Sequence, residues 1–216
     1  MIRALVPAKA LGEAKGRLAS VLSEIERRKL ALAMLEDVVR TLKAVAAIES
    51  VSVVSPDAEV LSLAAELDAS PVAESANVRG LNRALARAVS AMSPAPDALL
   101  IVLGDVPEAR PGDIETLLAA LPERGIALCP SADKGTGALA LQPPDVIAFR
   151  FGEGSFLRHR REAAAIGVPA KVVAIESLSH DIDSPEDLRD LLARPGETVT
   201  HRLLAELGVA ERLEQP

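Results

Sequence analysis

The 216-residue sequence has no tryptophan, no tyrosine and only three phenylalanines. Proteins that hold single-stranded nucleic acid stack its bases on aromatic rings, and this chain lacks that platform. It also lacks a surplus of positive charge, since 24 Lys and Arg against 31 Asp and Glu leave a net charge of -7. Such a balance gives no broad electrostatic footprint for a phosphate backbone, so nucleic acid is not an expected partner. One cysteine, Cys129, cannot form an internal disulfide; it fits a reducing compartment and reads as a core residue. No apolar run approaches the ~18 residues of a membrane-spanning helix. The short stretch Ala4–Ala8 is interrupted by Lys9 before the apolar core of a signal peptide can form. The expectation is a cytoplasmic protein with no membrane partner, long enough to bury a full core in one domain spanning residues 1–216.

Short Val/Ile-rich runs alternate with longer stretches of helical period. Strands are predicted at Ile2–Pro7, Val51–Val54, Pro71–Ala73, Ala98–Leu103, Ile126–Cys129, Ala138–Gln142 and Val172–Ile175. Helices are predicted from Ser23 to about Val45, and at Asp57–Leu67, Leu81–Met92, Pro111–Leu121, Ser155–Ile166 and Pro185–Leu192. A last helix, about Val199–Leu213, forms a C-terminal extension over residues 197–216, and its apolar stripe suits packing on its own domain or on a partner. Ser23 and Glu26 have capping-box spacing, and Leu30, Met34, Val38 and Leu42 line one face of the helix that follows. The continuously apolar Ala98–Leu103 is what a central parallel strand covered on both faces requires. The pattern predicts an α/β fold of three layers, α/β/α, Rossmann-like with a mainly parallel sheet. Ligands of such sheets bind beyond the carboxyl ends of the strands.

Several groups near those ends carry chemistry. In the loop after the first strand, Lys9, Lys15 and Arg17 place three cations within nine residues, either as a solvated basic loop or as a cradle for a phosphate chain. Asp105 directly follows the buried strand, where it can cap the turn Gly104–Pro107 or ligate a divalent cation. Asp181 and Asp183 stand two apart, so an extended backbone turns both carboxylates to one side; against this, Asp183 or Ser184 before Pro185 is an ordinary helix N-cap, the commoner role for such a residue taken alone. The turns Asp133–Ala138 and Phe151–Phe156 offer amides and hydroxyls for an anion, with Gly152 and Gly154 allowing close approach and Ser155 at a helix start. His159 lies in a basic run with Arg158, Arg160 and Arg161, a pattern shared by exposed helix faces and anion sites. In Arg79-Gly80-Leu81-Asn82, Asn82 at a helix start suits the edge of a base.

Taken in order, Val6-Pro7-x-Lys9 with Ala14-Lys15-x-Arg17-Leu18, Gly80-Leu81-Asn82, Leu103-Gly104-Asp105-Val106-Pro107, Gly135-Thr136-Gly137-Ala138-Leu139, Phe151-Gly152-x-Gly154-Ser155-Phe156-x-x-His159 and Asp181-Ile182-Asp183-Ser184-Pro185-Glu186-Asp187-Leu188 form a consistent ensemble. The ensemble resembles the 2-phospholactate and phosphoenolpyruvate guanylyltransferase family, from about Val6 to Leu188. The resemblance implies the MobA-like, nucleotide-diphospho-sugar transferase architecture. It also implies transfer of GMP from GTP to a small phosphorylated acid (2-phospholactate, phosphoenolpyruvate or 3-phosphoglycerate) with release of pyrophosphate, in the biosynthesis of the deazaflavin coenzyme F-420. By the same resemblance Lys9, Lys15, Arg17 and Asp105 are catalytic, and Pro7, Ala8, Lys9, Gly80, Asn82 and Asp105 bind nucleotide. Thr136, Gly152, Ser155 and His159 bind the acceptor, and Asp105, Asp181 and Asp183 hold Mg²⁺. Two positions depart from the family's habit: Gly137, where Asn is usual after Gly-Thr, and Gly104, where Ala commonly precedes the Asp. The alternatives are a MobA-like transferase acting on a sugar phosphate or a pterin, and a nucleotide-binding regulatory module without turnover.

Overall fold

A computed structural model describes residues 1–74 and 80–214, with the side chain of Glu13 left out. Among the described residues, seven strands form one sheet in the order β3-β2-β1-β4-β6-β5-β7. They are β1 (Ile2–Pro7), β2 (Ile48–Ser55), β3 (Ser70–Ala73), β4 (Ala98–Val102), β5 (Gly125–Pro130), β6 (Thr136–Gln142) and β7 (Ala170–Val172). Only β6 runs against its neighbours, pairing antiparallel with both β4 and β5. The other pairings are parallel.

The two-residue period of the strands sorts their side chains onto opposite faces. Ala4, Val6, Leu100 and Val102 join one apolar cluster with Val38 and Leu42 of α1 (Glu24–Lys43), Val60 of α2 (Ala58–Glu66) and Leu117 of α4 (Pro111–Ala119). Leu5, Leu99 and Ile101 join the other, with Leu85 of α3 (Leu81–Ser90) and Ala163 of α5 (Ser155–Ala165). The three-layer architecture follows from that division. All five residues of β4 are buried, as their unbroken apolar character requires.

Three further helices, α6 (Pro185–Ala193), α7 (Val199–Glu206) and α8 (Val209–Glu214), build a third apolar cluster with α1, through Leu30, Met34, Leu188, Leu204 and Leu213. The apolar stripe of the C-terminal extension therefore packs on its own chain. The predicted single helix Val199–Leu213 is two helices, because Gly208 takes a left-handed φ of 61° and turns the chain between them. Two more expectations are corrected. The last strand pairs through Ala170–Val172 rather than Val172–Ile175, because Ile175 turns into the core ahead of a 3-10 turn at Glu176–Leu178. The loop predicted over Ala8–Gly16 contains a 3-10 turn at Leu11–Glu13 and runs into a second at Gly16–Ser20, with Leu11 and Leu18 buried as anchors. Among the described residues no helix is long and apolar enough to cross a membrane.

Candidate active site

The reversed direction of β6 brings its first residue, Thr136, to the same rim of the sheet as the carboxyl ends of β1 and β4. Asp105 leaves β4 at that rim, and its carbonyl accepts from Ile182 N at 3.1 Å, which fastens the Asp181–Asp183 segment beside it. One carboxylate oxygen from each of Asp105, Asp181 and Asp183 lies within 4.8 Å of the others. The ammonium of Lys15 donates to Asp105 Oδ2 at 2.8 Å and to Asp183 Oδ1 at 2.7 Å. Lys15 itself takes a left-handed φ of 53° as it leads into the 3-10 turn at Gly16, which aims its side chain inward.

Both open alternatives for these aspartates resolve in the same direction. Asp105 does not cap its turn: Oδ2 faces Lys15, and Oδ1 is buried with no hydrogen-bond partner among the described residues. Asp183 does not cap α6, because the reciprocal bonds of the cap belong to Ser184 and Asp187. Asp187 also receives the backbone N–H of Asp183 at 2.9 Å, which holds the residue while leaving its carboxylate to the site.

The electrostatics follow from the placement. Burial pushes the Lys15 ammonium toward the neutral form, but Asp105 and Asp183 outweigh that and raise its pKa. Burial pushes Asp183 up, yet Lys15 first, then Lys9 and Arg17, bring it below the ordinary carboxylate range. Asp181 has no such partner, and burial followed by the negative charges of Asp105 and Asp183 raises it to about 6. Lys9 and Arg17 are exposed and form no ion pair among the described side chains. They border the carboxylates as uncommitted cations. Pro7 is buried at the end of β1, and Ala8 N–H donates to Val54 O at 2.9 Å, so the loop leaves the sheet in a fixed direction.

On the other side of Thr136 stands a small buried polar group. Ser155 Oγ lies 3.1 Å from Thr136 Oγ1, which lies 3.1 Å from Nδ1 of His159. The ring's Nε2 accepts from Arg150 N at 2.9 Å. The His159 ring is fully buried, and burial lowers its pKa to about 4. It therefore sits behind Thr136, where direct contact with an acceptor was expected. Gly152 (φ 113°) and Gly154 (φ 64°) form an arch in backbone conformations that favour glycine, and a Cβ on either would meet no described residue within 4 Å.

Asn82 also departs from its expected use. Its amide donates to Phe151 O at 3.1 Å and accepts from Phe151 N at 2.8 Å, pairing with backbone where a base edge was the expectation. Gly80, with φ 99°, stands at the N-cap of α3 just before it; Arg79 lies outside the described residues. The two departures in sequence have local reasons. A Cβ on Gly137 would collide with the Leu178 carbonyl oxygen, so the Glu176–Leu178 turn can sit this close only over glycine. At Gly104 a Cβ would lie 3.4 Å from Leu35 Cδ1 and from Pro7 O, tight but within reach of alanine.

The sequence motifs had marked the residues that meet here, but neither the burial of His159 nor the Asn82–Phe151 pairing had a signal in spacing. Known proteins resemble the chain in sequence and in fold. A phosphoenolpyruvate guanylyltransferase from Sphaerobacter thermophilus is 44% identical over 190 residues, 87% of this chain and 91% of that protein. A 2-phospho-L-lactate guanylyltransferase from Methanocaldococcus jannaschii is 29% identical over 209 residues, covering 96% and 90%. A solved structure from Desulfovibrio desulfuricans G20, described as a nucleotide-diphospho-sugar transferase, superposes with a TM-score of 0.79 at 17% identity over 98% of this chain and 97% of that one, which establishes the shared fold. The family profile described as "Guanylyl transferase CofC like" matches residues 2–215, and the chain belongs to that family.

Proposed function

We propose that the protein transfers GMP from GTP to a small phosphorylated carboxylic acid and releases pyrophosphate, as a step toward the deazaflavin coenzyme F-420. The observation that carries the reading is the Asp105–Asp181–Asp183 cluster, faced by Lys15 and bordered by Lys9 and Arg17, one strand away from the Thr136–Ser155 hydroxyls. That rim offers cations to a triphosphate and directed donors to a second anion. Phosphoenolpyruvate is the acceptor we favour, since the relatives at 44%, 39% and 38% identity bear that name.

The donor set also fits Mg²⁺. The three carboxylates are hard oxygen ligands, and the buried Asp105 Oδ1 has no hydrogen-bond partner among the described residues. When bound there the ion supplies positive charge against the phosphate oxygens. Lys9, Lys15 and Arg17 would bind the triphosphate and offset the charge that develops on the leaving pyrophosphate. An oxygen of the acceptor phosphate attacks the α-phosphorus in line, and the bond to the β-phosphate bridging oxygen breaks with its electron pair leaving on pyrophosphate. No protein nucleophile is needed, and a phosphate already ionised at neutral pH needs no general base. The protein's work is positioning and charge stabilisation.

The test is pyrophosphate release with GTP, with and without Mg²⁺, in the presence of phosphoenolpyruvate, 2-phospholactate or 3-phosphoglycerate, with ATP and CTP in parallel. The reading requires Mg²⁺-dependent release with GTP and one of the acids. Turnover with another nucleotide alone would move the protein to a different branch of the fold. GTP binding with no release under any acid would make it a regulatory module.

A further inference from the structure

We propose that His159 is a positioning residue that fixes the hydroxyls of Thr136 and Ser155 as a hydrogen-bond donor toward the acceptor's anionic group. The inference rests on the guanylyltransferase reading for what the acceptor is, but the arrangement itself follows from proton counting. A backbone amide only donates, so the 2.9 Å contact from Arg150 N makes His159 Nε2 an acceptor. In the neutral ring the single proton then resides on Nδ1, and the 3.1 Å contact to Thr136 Oγ1 is a bond donated by the ring.

Thr136 Oγ1 and Ser155 Oγ are 3.1 Å apart and share one hydrogen bond. The two hydroxyls carry two protons, and only one is used between them. The second has no acceptor within the trio, because His159 is already donating. One O–H is therefore left to point out of the trio, and it suits a phosphate or carboxylate oxygen. With its proton on Nε2, the ring would instead accept that hydroxyl proton at Nδ1 and leave the trio without a free donor.

The structure holds the ring in this orientation from several sides. Phe151 meets it edge-on, with ring centroids 4.9 Å apart and an interplanar angle of 72°. The Phe151 backbone is pinned by both ends of the Asn82 amide, so the Arg150 N–H that selects the tautomer is fixed from α3. Both ring nitrogens of His159 are already committed, Nε2 to Arg150 N and Nδ1 to Thr136 Oγ1, so the ring has no atom left for substrate and acts through Thr136.

Steady-state kinetics of His159→Gln and His159→Asn, with each substrate varied in turn, test the role. A glutamine amide reaches the Nε2 position, whereas an asparagine amide can place an N–H near Nδ1. His159→Gln should raise the KM for the acid about tenfold, as for loss of one hydrogen bond to a charged group. KM for GTP should be unchanged and kcat should stay within about threefold. His159→Asn should bring the acid KM back to within about threefold of wild type. Equal acid KM values in wild type and His159→Gln, or a parallel rise for both substrates, would overturn the proposal. Long-range ¹H–¹⁵N correlation spectra of the wild-type protein test it without turnover: a proton on Nδ1 is required, and a proton on Nε2 overturns it. Absence of turnover by the wild type with every acid would sink the guanylyltransferase reading instead, while the tautomer measurement would still decide the arrangement of the trio.

Discussion

Lys15 and the carboxylates it touches make opposing demands on a cation. Its ammonium lies 2.8 and 2.7 Å from Asp105 and Asp183, in the space where a divalent ion would share those oxygens. Removing that charge while keeping most of the side chain's volume, as in Lys15→Met, should tighten Mn²⁺ binding in the absence of nucleotide by about tenfold, the order expected for a like charge a few ångströms away in a partly solvated site. The same substitution should lower kcat/KM for GTP by more than tenfold, because the triphosphate loses a partner. Isothermal titration and initial rates give the two readings, and weaker Mn²⁺ binding in the variant would contradict the placement. His159 makes a second prediction at this scale. Its folded pKa of about 4 is below the ordinary 6.5, so the folded ring binds a proton less readily than the unfolded one. The stability of the neutral ring is fully present above 6.5 and is lost as the pH falls toward 4, by about 3 kcal/mol at most. Asp181, raised to about 6 chiefly by burial, contributes with the opposite sign over an overlapping window. The comparison must therefore be made by difference. Urea unfolding should show wild type losing stability relative to His159→Gln between pH 6.5 and 4, and parallel curves would contradict the buried neutral ring.

At the scale of elements, side-chain capping decides how the C-terminal helices meet the rest. Asp37 on α1 is buried and accepts from Val199 N at 2.7 Å, Thr200 N at 2.9 Å and Thr200 Oγ1 at 2.6 Å, so a carboxylate of one helix closes the start of α7. Asp37→Ala leaves those donors unsatisfied and should cost about 2–4 kcal/mol, read as a fall in Tm, with GTP turnover retained at low temperature. An unchanged Tm would show that the Asp37 contacts do not anchor α7. The start of α1 was legible because a capping box is local, and Ser23 and Glu26 form it as their spacing predicts. The α7 anchor was not legible, since Asp37 and Thr200 are 163 residues apart. The same reason applies to the aspartates: the sequence left Asp183 and Ser184 as rival caps, and only the reciprocal Ser184–Asp187 bonds free Asp183 for the site.

For the whole molecule, the alternation of strands and helices was enough to read three layers, because the two-residue period of Val6, Leu100 and Val102 against Leu5, Leu99 and Ile101 already divides the core into two faces. The strand order was another matter. Nothing local in Thr136–Gln142 says that β6 enters between β4 and β5 in the reverse direction, yet that insertion carries Thr136 to the rim occupied by Asp105. The site residues were legible as separate motifs and as a family ensemble. Their division of labour was not, because burial of His159 and commitment of the Asn82 amide depend on packing across the sheet.

The measurement that tests the account most directly compares wild type with Asp105→Asn, using GTP, Mg²⁺ and phosphoenolpyruvate. It follows pyrophosphate and the phosphoanhydride of GMP with the acid by mass spectrometry, alongside the Tm of each protein. The account predicts product from wild type and a loss of at least about a hundredfold in Asp105→Asn at a similar Tm, since the buried and unpartnered Oδ1 is where the charge is needed. Turnover that survives Asp105→Asn would contradict the assignment of this cluster as the centre of the reaction.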